Sequence, residues 1–201
     1  MKNLSKKVTG ILLAGGMSSR MGREKGSLRI GGRMLYEYPL RALEMVCDQI
    51  LISTSNSLPG ILTHTTVCDE IRGIGPMGGI HACLERSTTD LNLVLSYDLP
   101  LVNVGLLNYL LEKSGDWDMV APAMQSGRPE PLCALYRKSM SGVFKALIEE
   151  KRFAVHGAIS RVHSQVLLIQ TGMPFFHPGL FLNINRMEDL ERLPENFGND
   201  S

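Results

Sequence analysis

Val8-Thr9-Gly10-Ile11-Leu12-Leu13-Ala14-Gly15-Gly16-Met17-Ser18-Ser19-Arg20-Met21-Gly22-Arg23-Glu24-Lys25 is the stretch on which the reading of this chain turns. Val8 to Leu13 is a short, nearly continuous apolar run ended by Gly15-Gly16. Such a run predicts a central strand covered on both faces. Directly after it comes a glycine-rich loop loaded with cations. Glycine allows close backbone approach, so successive N–H groups can point at a phosphate while Arg20 and Lys25 neutralise it. Residues 20 to 33 hold five basic residues (Arg20, Arg23, Lys25, Arg29, Arg33) against the single acid Glu24. Two familiar phosphate loops do not fit. Gly22 is followed by Arg23-Glu24-Lys25-Gly26 rather than by the Gly-Lys-Ser/Thr ending of a P-loop, and Gly15-Gly16 with the next glycine at Gly22 does not make Gly-x-Gly-x-x-Gly.

Outward from this stretch, Gln49 to Ser53 and Leu91 to Leu95 repeat the apolar character, Asp118 to Pro122 is a weaker fourth strand, and Pro131 to Tyr136 a later one. Leu62 to Cys68 is strand-like, and Val166 to Ile169 is the one strand predicted in the poorly periodic region from Ala154 to His177. Helical patterns cover Met34 to Cys47, Met77 to Glu85, Val104 to Glu112 and Ser139 to Glu149. Strand and helix alternate with short connections, which argues for a doubly wound α/β fold whose ligand sites lie beyond the carboxyl ends of the strands.

The 201 residues suit one domain, with no repeat or linker long enough to divide them. The formal net charge of +1 argues against a general nucleic-acid binder, whose affinity comes from neutralising many phosphates. Anion recognition is therefore expected to be local, in the cluster after the first strand. Cys47, Cys68, Cys83 and Cys133 match neither a metal knuckle nor a disulfide frame, so they are read as reduced, mostly buried thiols in a cytoplasmic protein. The basic start and the apolar run after it lack a small-x-small cleavage site and do not make a signal peptide. Leu91 to Leu111 carries Asn92, Asp98, Pro100, Asn103 and Asn108, too polar a set for a membrane span. The histidines have no metal-ligand spacing, and Trp117 is expected in the core.

Asp98 stands just past the Leu91–Leu95 strand, where a lone carboxylate suits Mg²⁺ shared with substrate phosphates and water. Gly75-Pro76-Met77-Gly78-Gly79 opens a helix, with proline suited to a first turn and small residues allowing close approach.

Leu13-Ala14-Gly15-Gly16-x-Ser18-x-Arg20-Met21-Gly22-x-x-Lys25 resembles the signature loop of nucleotidyltransferases that activate small phosphorylated acceptors. With Gly75-Pro76-Met77-Gly78-Gly79-Ile80, Asp98-Leu99-Pro100, Arg128-Pro129-Glu130-Pro131-Leu132 and Phe181-Leu182-Asn183-Ile184-Asn185, it most resembles the molybdenum cofactor guanylyltransferases. The resemblance implies a three-layer α/β/α sandwich with a mostly parallel, Rossmann-like sheet of the nucleotide-diphospho-sugar transferase type. It also implies transfer of GMP from GTP to molybdopterin with Mg²⁺, and proteins that deliver or receive the cofactor. Residues to about 100 would bind the nucleotide and the remainder the acceptor. Leu13, Ala14, Gly15, Gly16, Lys25, Asn56, Asp69 and Asp98 would hold the nucleotide, Ser55 being the alternative to Asn56. Arg20, Lys25 and Asp98 would be catalytic, with Asp98 the metal ligand, and Arg128, Pro131, Asn183 and Asn185 would meet the acceptor. The chain departs from the family pattern at Glu24 (usually Asp), Gly26-Ser27, Tyr97 (often Cys) and Arg186-Met187 (commonly Thr-Pro). The rivals are a cytidylyltransferase for the same cofactor, a sugar- or lipid-precursor nucleotidyltransferase, and a non-catalytic nucleotide sensor.

Overall fold

The computed structural model describes residues 6–15, 28–54, 63–68, 71 and 73–198. In chain order these form β1 (Val8–Leu13), β2 (Arg29–Ile30), β3 (Arg33–Met34), α1 (Glu37–Glu44), β4 (Gln49–Ser53), β5 (Thr65–Val67), α2 (Pro76–Arg86), β6 (Leu91–Ser96), α3 (Val104–Glu112), β7 (Met119–Ala123), β8 (Cys133–Arg137), α4 (Met140–Glu149), α5 (His156–Ile159) and β9 (Ser164–Leu168). A 3₁₀ turn lies beyond them at Met187–Arg192.

Seven strands make one sheet in the order β5-β4-β1-β6-β8-β7-β9. All run parallel except β8, which is antiparallel to both β6 and β7. The apolar runs are explained by helices on both faces. Leu12 of β1 and Leu91, Leu93 and Leu95 of β6 pack with Leu40 and Leu43 of α1 and Leu106, Leu107 and Leu110 of α3. Ile11 and Leu13 of β1 and Val94 of β6 turn the other way, onto Met77, Ile80 and Leu84 of α2 and Met140, Phe144 and Leu147 of α4. Alternate side chains of one strand thus feed two cores, so no position in these strands could be polar without a partner. Polar side chains in β6 are limited to Asn92 and the terminal Ser96, and the Asn92 amide nitrogen donates to the carbonyls of Thr89, Asp90 and Tyr136.

The three-layer, mostly parallel architecture agrees with expectation, and the predicted 49–53 strand and 104–112 helix match residue for residue. Other expectations are corrected. The first helix begins at Glu37 rather than Met34, because residues 29–34 form a β2–β3 hairpin turned by Gly31 and Gly32 at φ +53° and +80°. Two consecutive positive φ values are what a two-residue hairpin turn needs, and glycine adopts them without steric cost. Trp117 packs on the margin of the core, half-buried, and stacks on His163 with ring centroids 3.9 Å apart. Cys83 and Cys133 are buried, as expected, but Cys68 is exposed. The short α5 lies in the stretch from which no helix is expected. Among the described residues no helix is long and apolar enough to cross a membrane.

Candidate active site

The parallel strands all end at one edge of the sheet, and a row of backbone hydrogen bonds runs along it. Thr54 N–H donates to Val67 O (3.2 Å), Ala14 N–H to Ser53 O (2.8 Å), Tyr97 N–H to Leu13 O (3.1 Å) and Ser96 N–H to Leu132 O (2.8 Å). These bonds carry the sheet's ladder past the last strand residues and fix where the chain leaves each strand. Leu13 and Ala14 are buried while Gly15 is exposed at the point where the chain leaves β1. Asp98 lies one residue beyond Tyr97, which is tied to Leu13, so the carboxylate loop and the start of the glycine loop sit side by side.

Asp98 is half-buried, and its main-chain carbonyl accepts from Ile184 N–H at 2.9 Å. Burial first, and the Asp98 charge second, push the neighbouring Tyr97 phenol up to about 12. A tyrosine stands here without disturbing the edge because its ring is packed in the core at 5% exposure.

Among the described residues no three His, Cys, Asp or Glu side chains gather into a metal cage. One hard carboxylate oxygen donor beside the start of a glycine loop fits an ion such as Mg²⁺, which takes one or two carboxylates and completes its octahedron from phosphates and water. It does not fit zinc, which needs three or four protein ligands of its own.

Helix α2 reaches the same edge. Gly75 caps it, Pro76 is its first residue, and Gly79 packs so closely on β4 that a Cβ there would lie 2.3 Å from Ser53 Oγ. Ser53 is the residue whose carbonyl holds Ala14, so the small residue at 79 sets the distance between helix and loop.

Because β8 runs against its neighbours, the β7–β8 connection returns to this edge. Pro129 bridges to Ala123, Glu130 N–H donates to Pro122 O (2.8 Å), and the buried Pro131 accepts from the Tyr136 hydroxyl at 2.7 Å. Arg128 is exposed on this connection, and its N–H donates to Ser126 Oγ (3.4 Å). Asn183 and Asn185 arrive from the other side of Asp98, flanking Ile184. The Asn185 amide donates to Asn183 Oδ1, and Asp189 Oδ2 accepts from Asn185 N–H (2.8 Å) and Arg186 N–H (2.9 Å). These two backbone donors hold the Asp189 carboxyl below its usual range.

Leu13, Ala14, Gly15 and Asp98 are therefore gathered at one point of the edge, with Asn183 and Asn185 tied to it through Ile184. Arg128 and Pro131 reach the edge on the β7–β8 connection. Gly16, Arg20, Lys25, Ser55, Asn56 and Asp69 lie outside the described residues. Glu130 and His156, to which the sequence assigns no individual role, also stand here. Burial raises the Glu130 carboxyl, opposed by the charges of Arg128 and His156. An acid between two prolines ahead of an apolar strand is the sequence signal for the first of them.

A mostly parallel sheet whose strand ends bring a glycine-loop start against a single carboxylate defines an α/β enzyme of the nucleotidyltransferase class. Residues 10–179 match the MobA-like NTP transferase domain, and the chain belongs to that family. It is 31% identical over 192 residues to a probable molybdenum cofactor guanylyltransferase of Bacillus subtilis, covering 92% of this chain and 94% of that one. A protein of the same description from Flavobacterium johnsoniae is 29% identical over 186 residues, covering 92% and 96%. Among solved structures, molybdopterin-guanine dinucleotide biosynthesis protein A from Archaeoglobus fulgidus superposes with a TM-score of 0.77 at 25% identity, over 92% of this chain and 95% of that one.

Proposed function

We propose that this enzyme transfers GMP from GTP to the terminal phosphate of molybdopterin cofactor, releasing pyrophosphate and forming the guanine dinucleotide in the cytoplasm. An oxygen of the acceptor phosphate bonds to the α-phosphorus, and the bond from that phosphorus to the β-phosphate oxygen breaks. The acceptor is already anionic at neutral pH, so no general base is needed. The protein's work is to align two anions in line and to offset their repulsion, effects each worth several kcal/mol, with orientation alone reaching about 7 to 11 at best.

The observation that carries the reading is the Leu13–Tyr97 backbone bond, which sets Asp98 beside the start of the glycine loop. In this reading residues to about 100 hold the nucleotide and the rest the acceptor. Gly15 and Gly16 N–H groups fix the triphosphate, Arg20 and Lys25 neutralise the α-phosphate and departing pyrophosphate, and Leu13, Ala14, Asn56 (or Ser55) and Asp69 meet the base or ribose. Arg128 and the amides of Asn183 and Asn185 hold the acceptor, with Pro131 shaping its wall. Asp98 would hold Mg²⁺, which when bound supplies charge neutralisation between the triphosphate and the incoming phosphate.

Calorimetric titration with GTP, CTP, ATP and UTP in the presence of Mg²⁺ tests the guanylyl assignment. GTP is expected to bind about tenfold or more tightly than the others, the difference two hydrogen bonds to a base edge supply. CTP binding an order of magnitude more tightly than GTP would overturn it in favour of a cytidylyltransferase.

A further inference from the structure

Glu130 is half-buried on the β7–β8 connection, on the acceptor side of the sheet edge. Its main chain is pinned at both ends. The N–H donates to Pro122 O (2.8 Å), and the carbonyl accepts from Cys133 N–H (3.0 Å). His156 closes one flank, with Nε2 3.2 Å from the carbonyl of Pro129, and Arg128 is the other charged neighbour. Among the described residues, the Glu130 carboxylate joins no hydrogen bond and no ion pair, although two basic side chains stand near it. A fixed, partly desolvated carboxylate in this state is an acceptor prepared for a ligand that brings donors.

Resting on the acceptor assigned above, we propose that Glu130 is a specificity-determining residue that reads the pyrimidinone edge of the acceptor's pterin, accepting from its ring N–H and its 2-amino group together. That edge presents two parallel donors at the spacing of two carboxylate oxygens, the same fork geometry by which a carboxylate receives an arginine. Burial raises the Glu130 carboxyl and the charges of Arg128 and His156 oppose that shift; once ionised the group is a pure acceptor. Guanine carries a similar donor edge, but the glycine loop leaves from β1, and both β6 and β8 separate β1 from β7. The pterin is therefore the ring that falls to Glu130. A binding site built around such a pair rejects a ring that lacks the donors far more strongly than an apolar wall would.

The discriminating pair of probes is a 6-hydroxymethylpterin phosphate and its lumazine counterpart, in which a carbonyl replaces the 2-amino group. Binding of both to the full chain is followed by the ring's own fluorescence, for wild type, Glu130→Gln and Glu130→Ala. The wild type should prefer the pterin by about tenfold or more. Glu130→Gln should shrink that preference about tenfold, because an amide offers a donor to the lumazine carbonyl and loses one acceptor for the pterin. Glu130→Ala should weaken pterin binding while leaving lumazine binding nearly as it was. The ratio of GTP to ITP affinity, which reports the 2-amino group of guanine, should stay within about twofold in all three proteins, since no contact with that group changes. An unchanged pterin-to-lumazine ratio in both variants overturns the proposal, as does a change that appears in the GTP-to-ITP ratio instead. Wild-type assays with molybdopterin separate the two levels. If the wild type forms no dinucleotide, the acceptor reading falls and this proposal with it; if it does and the ratio is unmoved, only the role of Glu130 falls.

Discussion

Asp98→Ala is expected to abolish Mg²⁺-dependent pyrophosphate release, lowering turnover by about a thousandfold or more, the scale on which charge stabilisation at a phosphoryl centre is lost. The fold should survive. Asp98 is only half-buried, and the bond that docks Ile184 uses its main-chain carbonyl, which alanine retains. Circular dichroism and melting temperature should therefore stay close to wild type while activity disappears. A second readout is local. The Asp98 charge is one of the two causes that hold the Tyr97 phenol near 12, so its removal should let Tyr97 titrate at lower pH, with burial still keeping it above an ordinary tyrosine. Turnover that is undiminished across a range of Mg²⁺ concentrations would remove Asp98 from the metal site.

Gly79→Ala is the second large effect, and it acts through packing. The new Cβ would stand 2.3 Å from Ser53 Oγ and 3.1 Å from Ser53 Cβ, and Ser53 has little room to yield because it is 3% exposed. Helix α2 must shift away from β4, at a cost of about 1 to 3 kcal/mol. In a chain of this length each kcal/mol lowers the melting temperature by roughly 2 to 4 °C. The same shift moves the carbonyl that holds Ala14, so GTP affinity should fall by about fivefold to tenfold, the penalty of a slightly misplaced site. Gly142→Ala in α4 is the control. A Cβ there meets nothing within 4 Å, so alanine should stabilise by about 0.5 to 1 kcal/mol through its better helix propensity. Equal melting temperatures for the two variants would show that the close approach at Gly79 costs nothing.

The parts of the fold that can be read from sequence are those where the physics is local and repeated. Gln49 to Ser53 and Val104 to Glu112 are legible to the residue because an apolar run of strand length and an amphipathic run of helix length differ in period. The hairpin at 29–34 hides in a longer helical pattern because Met34 and Leu35 continue its apolar positions. The Gly31-Gly32 pair is the signal that outweighs it. The direction of β8 has no signal in the strand's own residues. An apolar strand looks the same whichever way it runs, and direction is decided by the short return from β7 and by pairing with β6, contacts distant in sequence.

The site shows the same division. Asp98 and the Leu13–Gly15 corner are legible because a polar or glycine residue breaks an apolar strand at a defined end. The tail is legible only as a motif of two asparagines. That Asp189 fastens it, and that Ile184 docks it against Asp98, depends on backbone donors that no side-chain pattern announces. Glu130 is marked only by its place between two prolines ahead of a strand, a signal with no period behind it.

The Ile184–Asp98 bond has a consequence for the order in which the protein is made. The strands that frame Asp98 from the amino side, β1, β4 and β6, all leave the ribosome well before residue 184. From there the tail continues back to α1, where Phe197 meets Tyr38 with ring centroids 4.6 Å apart and the Tyr38 hydroxyl donates to Ile30 O of β2 (2.6 Å). A growing chain therefore makes the strands around Asp98 before it makes the segment that docks on Asp98 and reaches the hairpin. A chain interrupted before residue 184 would therefore lack the segment that fastens the Asp98 main chain.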